Sequence, residues 1–281
     1  MARARALISL VLGAALGLSA SAAGQADVGA NPDAGEQADA TLQETSSGQQ
    51  PSNASEAPAP AACDLQALQA AAEADWRLRE KEWCDPEELA LLSAGVAALD
   101  ACAGNVKPAE RWVFPVARSE PSKSIGGTNG SGYQRARHLP CFATKYPGHP
   151  AHDLFVGDVH PTGRDRDGKP FEALAVEDGL VLVARDGWQP GDPAKGGNYV
   201  LLYLPARRWI AYYAHLESVA VKAGERIAAG QVLGIVGRTG KNAEPRRSPT
   251  HLHLGLWDAE HFRPINSYPL LQAARTATPG E

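Results

Sequence analysis

Two histidines one residue apart, His251 and His253, alternate with Leu252, Leu254 and Leu256 in this 281-residue chain. A period of two belongs to a β-strand, so both imidazoles project from one face while the leucines enter a core on the other. Gly255 comes next on the histidine face and leaves space where a ligand could lie. Far upstream stands a second group, His149-Pro150-Ala151-His152-Asp153, expected on a loop leading into a strand at 154–156. Imidazole nitrogen and carboxylate oxygen are donors suited to Zn²⁺. With one of the His251/His253 pair, His149 and Asp153 supply three protein ligands. A fourth position would stay open for water, the arrangement of a catalytic zinc rather than a structural one.

The elements that must position these residues are short strands. From residue 111 onward, apolar runs rich in β-branched and aromatic residues recur at 112–116, 173–176, 180–184, 199–204 and 209–214, separated by Gly, Pro and Asp. Pro205-Ala206-Arg207-Arg208 reads as a hairpin turn. Two Ala-Gly turns, at 223–224 and 229–230, indicate very short strands in a folded-over sheet. No helical period is read here, so the expectation is a mainly β, compact antiparallel domain over residues 110–272, followed by a flexible tail at 273–281.

Ahead of it the texture is helical. Leu65, Leu68, Ala72 and Trp76 recur at helical spacing over residues 64–83. Asp85-Pro86-Glu87-Glu88 is a helix start: a capping carboxylate, Pro in the first turn, and two acids facing the positive helix end. Leu89, Leu92, Val96 and Leu99 carry that helix to Gly104-Asn105. Residues 63–105 are therefore expected to form a helical hairpin too small to hold a core alone, packed on the β domain.

Four cysteines allow three pairings of two disulfides. Cys63 with Cys84, or Cys84 with Cys102, would join opposite ends of one helix, ~30 Å apart against the ~5.5 Å that a bridge requires. The hairpin brings Cys63 beside Cys102, which leaves Cys84 for Cys141.

The N-terminus reads as an export signal over residues 1–22: Arg3 and Arg5, an apolar run at 6–18 too short for the ~20 residues of a membrane span, then Ala20-Ser21-Ala22. An exported chain, periplasmic or secreted, is expected, with no stable membrane insertion after cleavage. Residues 23–62 are Ala, Ser, Gln, Pro and acid, the composition of a disordered linker. Losing Arg3 and Arg5 with the signal takes the formal net charge from −5 to −7, and six carboxylates of that linker carry six of those charges. The remainder is near neutral and offers no broad basic surface, which argues against nucleic acid as a partner.

The set His149-x-x-x-Asp153, Tyr213-Ala214-His215-Leu216, the glycine-rich run 230–240, and His251-Leu252-His253 closely resembles the lysostaphin-type (LytM) zinc endopeptidases over residues 112–268. The resemblance implies one Zn²⁺ per chain, held by His149, Asp153 and His253, with His215 and His251 flanking the metal as catalytic residues. It implies hydrolysis of peptide cross-links in bacterial peptidoglycan. The alternatives are a non-catalytic regulator of another wall hydrolase, or an endopeptidase acting on a non-wall protein. The hairpin lies outside the resemblance and could inhibit, brace, or dock an envelope protein partner.

Other residues are read plainly. His152 is expected to point away from the site, though it is an alternate ligand, and His138, His160 and His261 are surface or turn residues. Asp165-Arg166-Asp167-Gly168 is expected to be a solvated turn because it lacks the later acid of a calcium loop. Tyr146, Asn198, Tyr199 and Tyr212 could line a substrate groove, though aromatics on strands are more often core.

Overall fold

The computed structural model describes residues 62–80, 85–135, 148–158, 162–245 and 247–277. The expected signal, most of the linker, Cys84, Cys141, His138, Tyr146 and His160 lie outside the described residues.

Two helices come first, α1 (Leu65–Glu80) and α2 (Pro86–Ala103). Asp64 starts α1 by accepting the Gln66 and Ala67 N–H groups at 3.0 and 3.1 Å, and Asp85 caps α2 through the Glu87 N–H at 3.1 Å, so each carboxylate satisfies amides left over at a helix start. The buried stripe of α1 runs through Leu68, Ala71, Asp75 and Leu78, rotated from the expected one, and Leu65 is 65% exposed. A disulfide joins Cys63 to Cys102 with a Cα separation of 5.1 Å, as the hairpin geometry required.

Eight strands follow: β1 (Ala151–Phe155), β2 (Glu172–Leu174), β3 (Gly179–Arg185), β4 (Asn198–Leu204), β5 (Trp209–Val219), β6 (Arg226–Ile227), β7 (Val232–Val236) and β8 (His251–Asp258). All pair antiparallel in the order β1-β8-β5-β4-β3-β6, with β7 bridging β2 and β5. Two short helices are also present among the described residues, α3 (Pro121–Ser124) and α4 (Tyr268–Ala273), each opened by a proline in its first turn.

The sheet buries both faces. Leu154, Leu202, Tyr213, Leu252, Leu254 and Leu256 enter one core with Trp112, Phe114 and Val116. On the opposite face Leu180, Leu182, Leu201, Ile210, Tyr212 and Trp257 pack beneath Leu68, Leu92, Val96 and Leu99 of the hairpin. Each fully buried leucine there contributes about 1.5–3 kcal/mol, which the isolated hairpin could not obtain. Arg226 of β6 closes the end of α2 by donating to the Ala103 carbonyl at 2.9 Å and to the Cys102 carbonyl. Trp257 shares the parity of His251 and His253, so hairpin and imidazoles occupy the same face of the sheet.

Four features depart from the sequence reading. Residues 112–116 make isolated bridges, Val113 to Arg275 and Val116 to Ala173, because Pro115 has no N–H to continue a ladder. Asp153 lies within β1 rather than on a loop before it. The chain stays packed beyond 272: Arg275 pairs with Val113 and Ala277 is buried, so the described part of 273–281 is not a free tail. The space over Gly255 is filled: a side chain there would meet the Trp257 ring at 2.5 Å. Among the described residues, no helix is long and apolar enough to cross a membrane.

Candidate active site

Antiparallel pairing of β1 with β8 sets Asp153 directly opposite His253. His149 enters two residues before β1, where its backbone exchanges hydrogen bonds with Gln134 at 2.8 and 2.9 Å. Its Nδ1 donates to the Gly132 carbonyl at 2.9 Å. A carbonyl only accepts, so Nδ1 carries a proton; Nε2, facing Asp153 and His253, donates to Asp153 when the ring is protonated and offers a lone pair when it is neutral.

The three donor atoms form a near-equilateral triangle. His149 Nε2 lies 3.2 Å from Asp153 Oδ1, His253 Nδ1 lies 3.0 Å from the same oxygen, and the two nitrogens are 3.3 Å apart. Tetrahedral zinc with bonds of about 2.0–2.1 Å places its ligand atoms ~3.3 Å from one another. The residues therefore fit zinc in donor type, number and spacing, and they are the group able to hold a metal among the described residues. Their side chains keep 33, 29 and 21% exposure, which leaves one side of the site open.

Electrostatics match a cation site. Burial pushes the Asp153 carboxyl up, but hydrogen bonds from His149 and His253 and the histidine charges outweigh it and hold it well below the usual carboxylate range. The hydrogen bond to Asp153 raises His149, whereas burial lowers His253.

His215 and His251 sit beside this triangle. Their ring centroids are 4.9 Å apart, and His215 is 5.7 Å from His253. Sequence reading ended the fifth strand at 214; β5 instead continues to Val219 through an irregularity after Leu216. At His215 the backbone takes φ of +64°, a left-handed conformation uncommon outside glycine. Three hydrogen bonds hold it: its N–H to Gly196 O at 2.8 Å, its carbonyl from Gly237 N at 3.0 Å, and Nδ1 to Thr239 O at 2.8 Å. His251 Nδ1 donates to Pro249 O at 2.7 Å, and its Nε2 lies 3.6 Å from Asp153 Oδ1. In its neutral form each ring thus presents an unprotonated Nε2. Burial, then the charges of His253 and His251, push His215 down to about 3.

The remaining histidines stay apart. His152 points to the other side of β1, fully buried, with Nε2 3.1 Å from Asn266 Oδ1 and its ring stacked on Tyr133. Its alternation with Asp153 removes it as a ligand. His261 lies on the turn after β8, 3.5 Å from Asp258. Asp165 binds the Asp167 and Lys169 N–H groups at 3.0 and 2.9 Å, an ordinary side-chain turn. Asn198 binds the Glu217 carbonyl and Tyr199 is core, whereas Tyr212 packs edge-on to His253 at 5.7 Å. A cavity of about 220 Å³ beside Thr239 is lined by Trp188, Glu217 and Arg238. The carbonyls of Gly132, Thr239 and Pro249 orient three of the histidines. Sequence gave no sign of them, since any residue type offers a carbonyl.

Residues 165–266 match Peptidase family M23, a span that holds His215, His251 and His253 and begins after His149 and Asp153. Peptidoglycan DD-endopeptidase ShyA of Vibrio cholerae is 31% identical over 90 residues, covering 32% of this chain and 18% of that protein. The match thus spans less than a fifth of the relative's length. Among solved structures, the lysostaphin catalytic domain of Staphylococcus simulans is 22% identical, with a TM-score of 0.38 over 54% of this chain and 95% of that one. A zinc-containing peptidase from Vibrio cholerae is 22% identical, with a TM-score of 0.37 over 58% and 40% of the two chains. Residues 165–266 are therefore similar to a Peptidase family M23 domain.

Proposed function

We propose that this chain is an exported, zinc-dependent endopeptidase that hydrolyses peptide cross-links of bacterial peptidoglycan. The observation that carries this reading is the triangle of His149, Asp153 and His253 donor atoms with two further imidazoles beside it. The family match and the match to a peptidoglycan endopeptidase support the substrate class. The export pattern over residues 1–22 supports a periplasmic or secreted location.

When bound, zinc would supply a Lewis acid and lower the pKa of a water to about 7, giving hydroxide near neutral pH. The chain supplies the rest. His149, Asp153 and His253 hold the metal and leave the solvent-facing side open. His215 and His251 each offer an Nε2 lone pair beside the centre, so they take the proton from the attacking water and return it to the leaving amine. Once protonated, either ring can donate to the oxyanion that develops on the scissile carbonyl. Fixing both through backbone carbonyls means that little reorganisation accompanies the reaction.

Digestion of purified sacculi tests this. The chain should release cross-link peptides, and His149→Ala should not. Activity retained in His149→Ala would remove the ligand assignment. Bound zinc without turnover on any wall substrate, together with stimulation of another wall hydrolase, would replace the peptidase reading by a regulatory one.

A further inference from the structure

The hairpin brings a largely buried ion pair, with Asp75 buried and Arg79 partly so, to the edge of the histidine site. Asp75 is fully buried on α1, and one of its carboxylate oxygens accepts from Arg79 Nε at 2.8 Å and from the Tyr199 hydroxyl at 2.5 Å. The Arg79 guanidinium carbon then lies 4.5 Å from the centre of the Tyr199 ring and 4.2 Å from that of Tyr212. Tyr212 in turn touches both halves of the site. Its ring meets His253 edge-on at 5.7 Å. Its hydroxyl packs against Gly196 so closely that a side chain there would collide with it, and the Gly196 carbonyl holds the strained His215 backbone.

A buried ion pair is seldom a net source of stability, since well-packed apolar residues in its place often do as well. Its presence on a helix face that is otherwise Leu and Ala points to another role. A cation over a desolvated ring is attracted to the ring face and so favours the plane turned toward it. We infer that the hairpin is a permanent brace of the metal centre, in which Asp75 and Arg79 are positioning residues acting through Tyr212 on His253 and His215. This rests on the metallopeptidase reading above for its consequence, though not for its geometry.

The test uses the full chain and the double variant Asp75→Leu/Arg79→Met. Its metal-free melting temperature should equal or exceed the parent's. Zinc affinity, measured by competition with a chromophoric chelator, should fall by about 10-fold or more, and the visible spectrum of the cobalt-substituted site should change. Tyr212→Leu should show the same loss, with Tyr212→Phe, which keeps the stacked ring, within about twofold of the parent. If the double variant does not fold, the Tyr212 pair carries the test, and equal affinities in Leu and Phe overturn the brace. Imidazole ¹⁵N shifts of His253 and His215 in the metal-free chain give a readout independent of zinc. They should move in Arg79→Met, and unmoved shifts overturn the inference. A parent chain that binds no zinc would instead sink the proposed function and leave this last readout intact.

Discussion

Asp153 and His253 are direct partners across the β1–β8 ladder, and their side chains meet at 3.0 Å on the face that also carries His251. The ladder fixes this pair before any metal arrives, so the cost of assembling two of three ligands is met by strand pairing. Asp153→Asn keeps the shape and removes the charge. Zinc affinity should fall by at least ~10–100-fold. In the metal-free variant, the His149 pKa should drop, because the bond to Asp153 is the main cause of its elevation. An unchanged His149 titration would contradict this electrostatic account.

His215 and His251 lie outside the donor triangle, so binding and turnover should separate. His215→Ala and His251→Ala should each retain zinc while turnover falls by about 10²–10⁴-fold. Metal analysis beside a peptide-release assay checks both. Loss of zinc in either variant would make that histidine a ligand instead.

Burial gives the metal-free protein a definite pH dependence. His215 titrates at about 3 when folded and near ~6.5 when unfolded. Between those values the unfolded chain takes up a proton that the folded chain refuses, so this contribution is complete above about 6.5 and is lost as pH falls toward 3. His253 and His152, lowered mainly by burial, act in the same direction. His149 opposes them: its contribution is present below about 6.5 and is lost as pH rises through its raised value. Three groups against one predict a melting temperature that falls from pH 7 to pH 4.5 in chelator-treated protein. A flat or rising profile would contradict it.

The Cys63–Cys102 bridge closes a loop of sequence separation 39. The chain-entropy relation gives about 4 kcal/mol for such a loop. Cys63→Ser/Cys102→Ser should lower the melting temperature by about 10 °C and increase amide exchange first in α1 and α2. Exchange rising equally in β5 and β8 would show that hairpin and sheet unfold as one unit.

The histidine alternation of β8, the proline-led start of α2 and the Cys63–Cys102 pairing were legible because each rests on local spacing. Less legible was whatever depends on distant partners. The α1 stripe was read through Leu65, but the sheet selects Leu68, Ala71 and Asp75, which turns Leu65 outward. An acid at a position of helical spacing with Leu68, Ala71 and Leu78 was the available sign of the Asp75–Arg79 pair. Residues 112–116 looked like a strand by composition, yet Pro115 breaks the ladder. The strained turn at His215 comes from the Gly196, Gly237 and Thr239 backbone, for which no side-chain pattern exists.

Elemental analysis of the purified chain tests the central claim most directly. The account predicts about one zinc per chain, absent in His253→Ala with the fold retained. Equal zinc in parent and variant, or none in the parent after incubation with zinc, would contradict it.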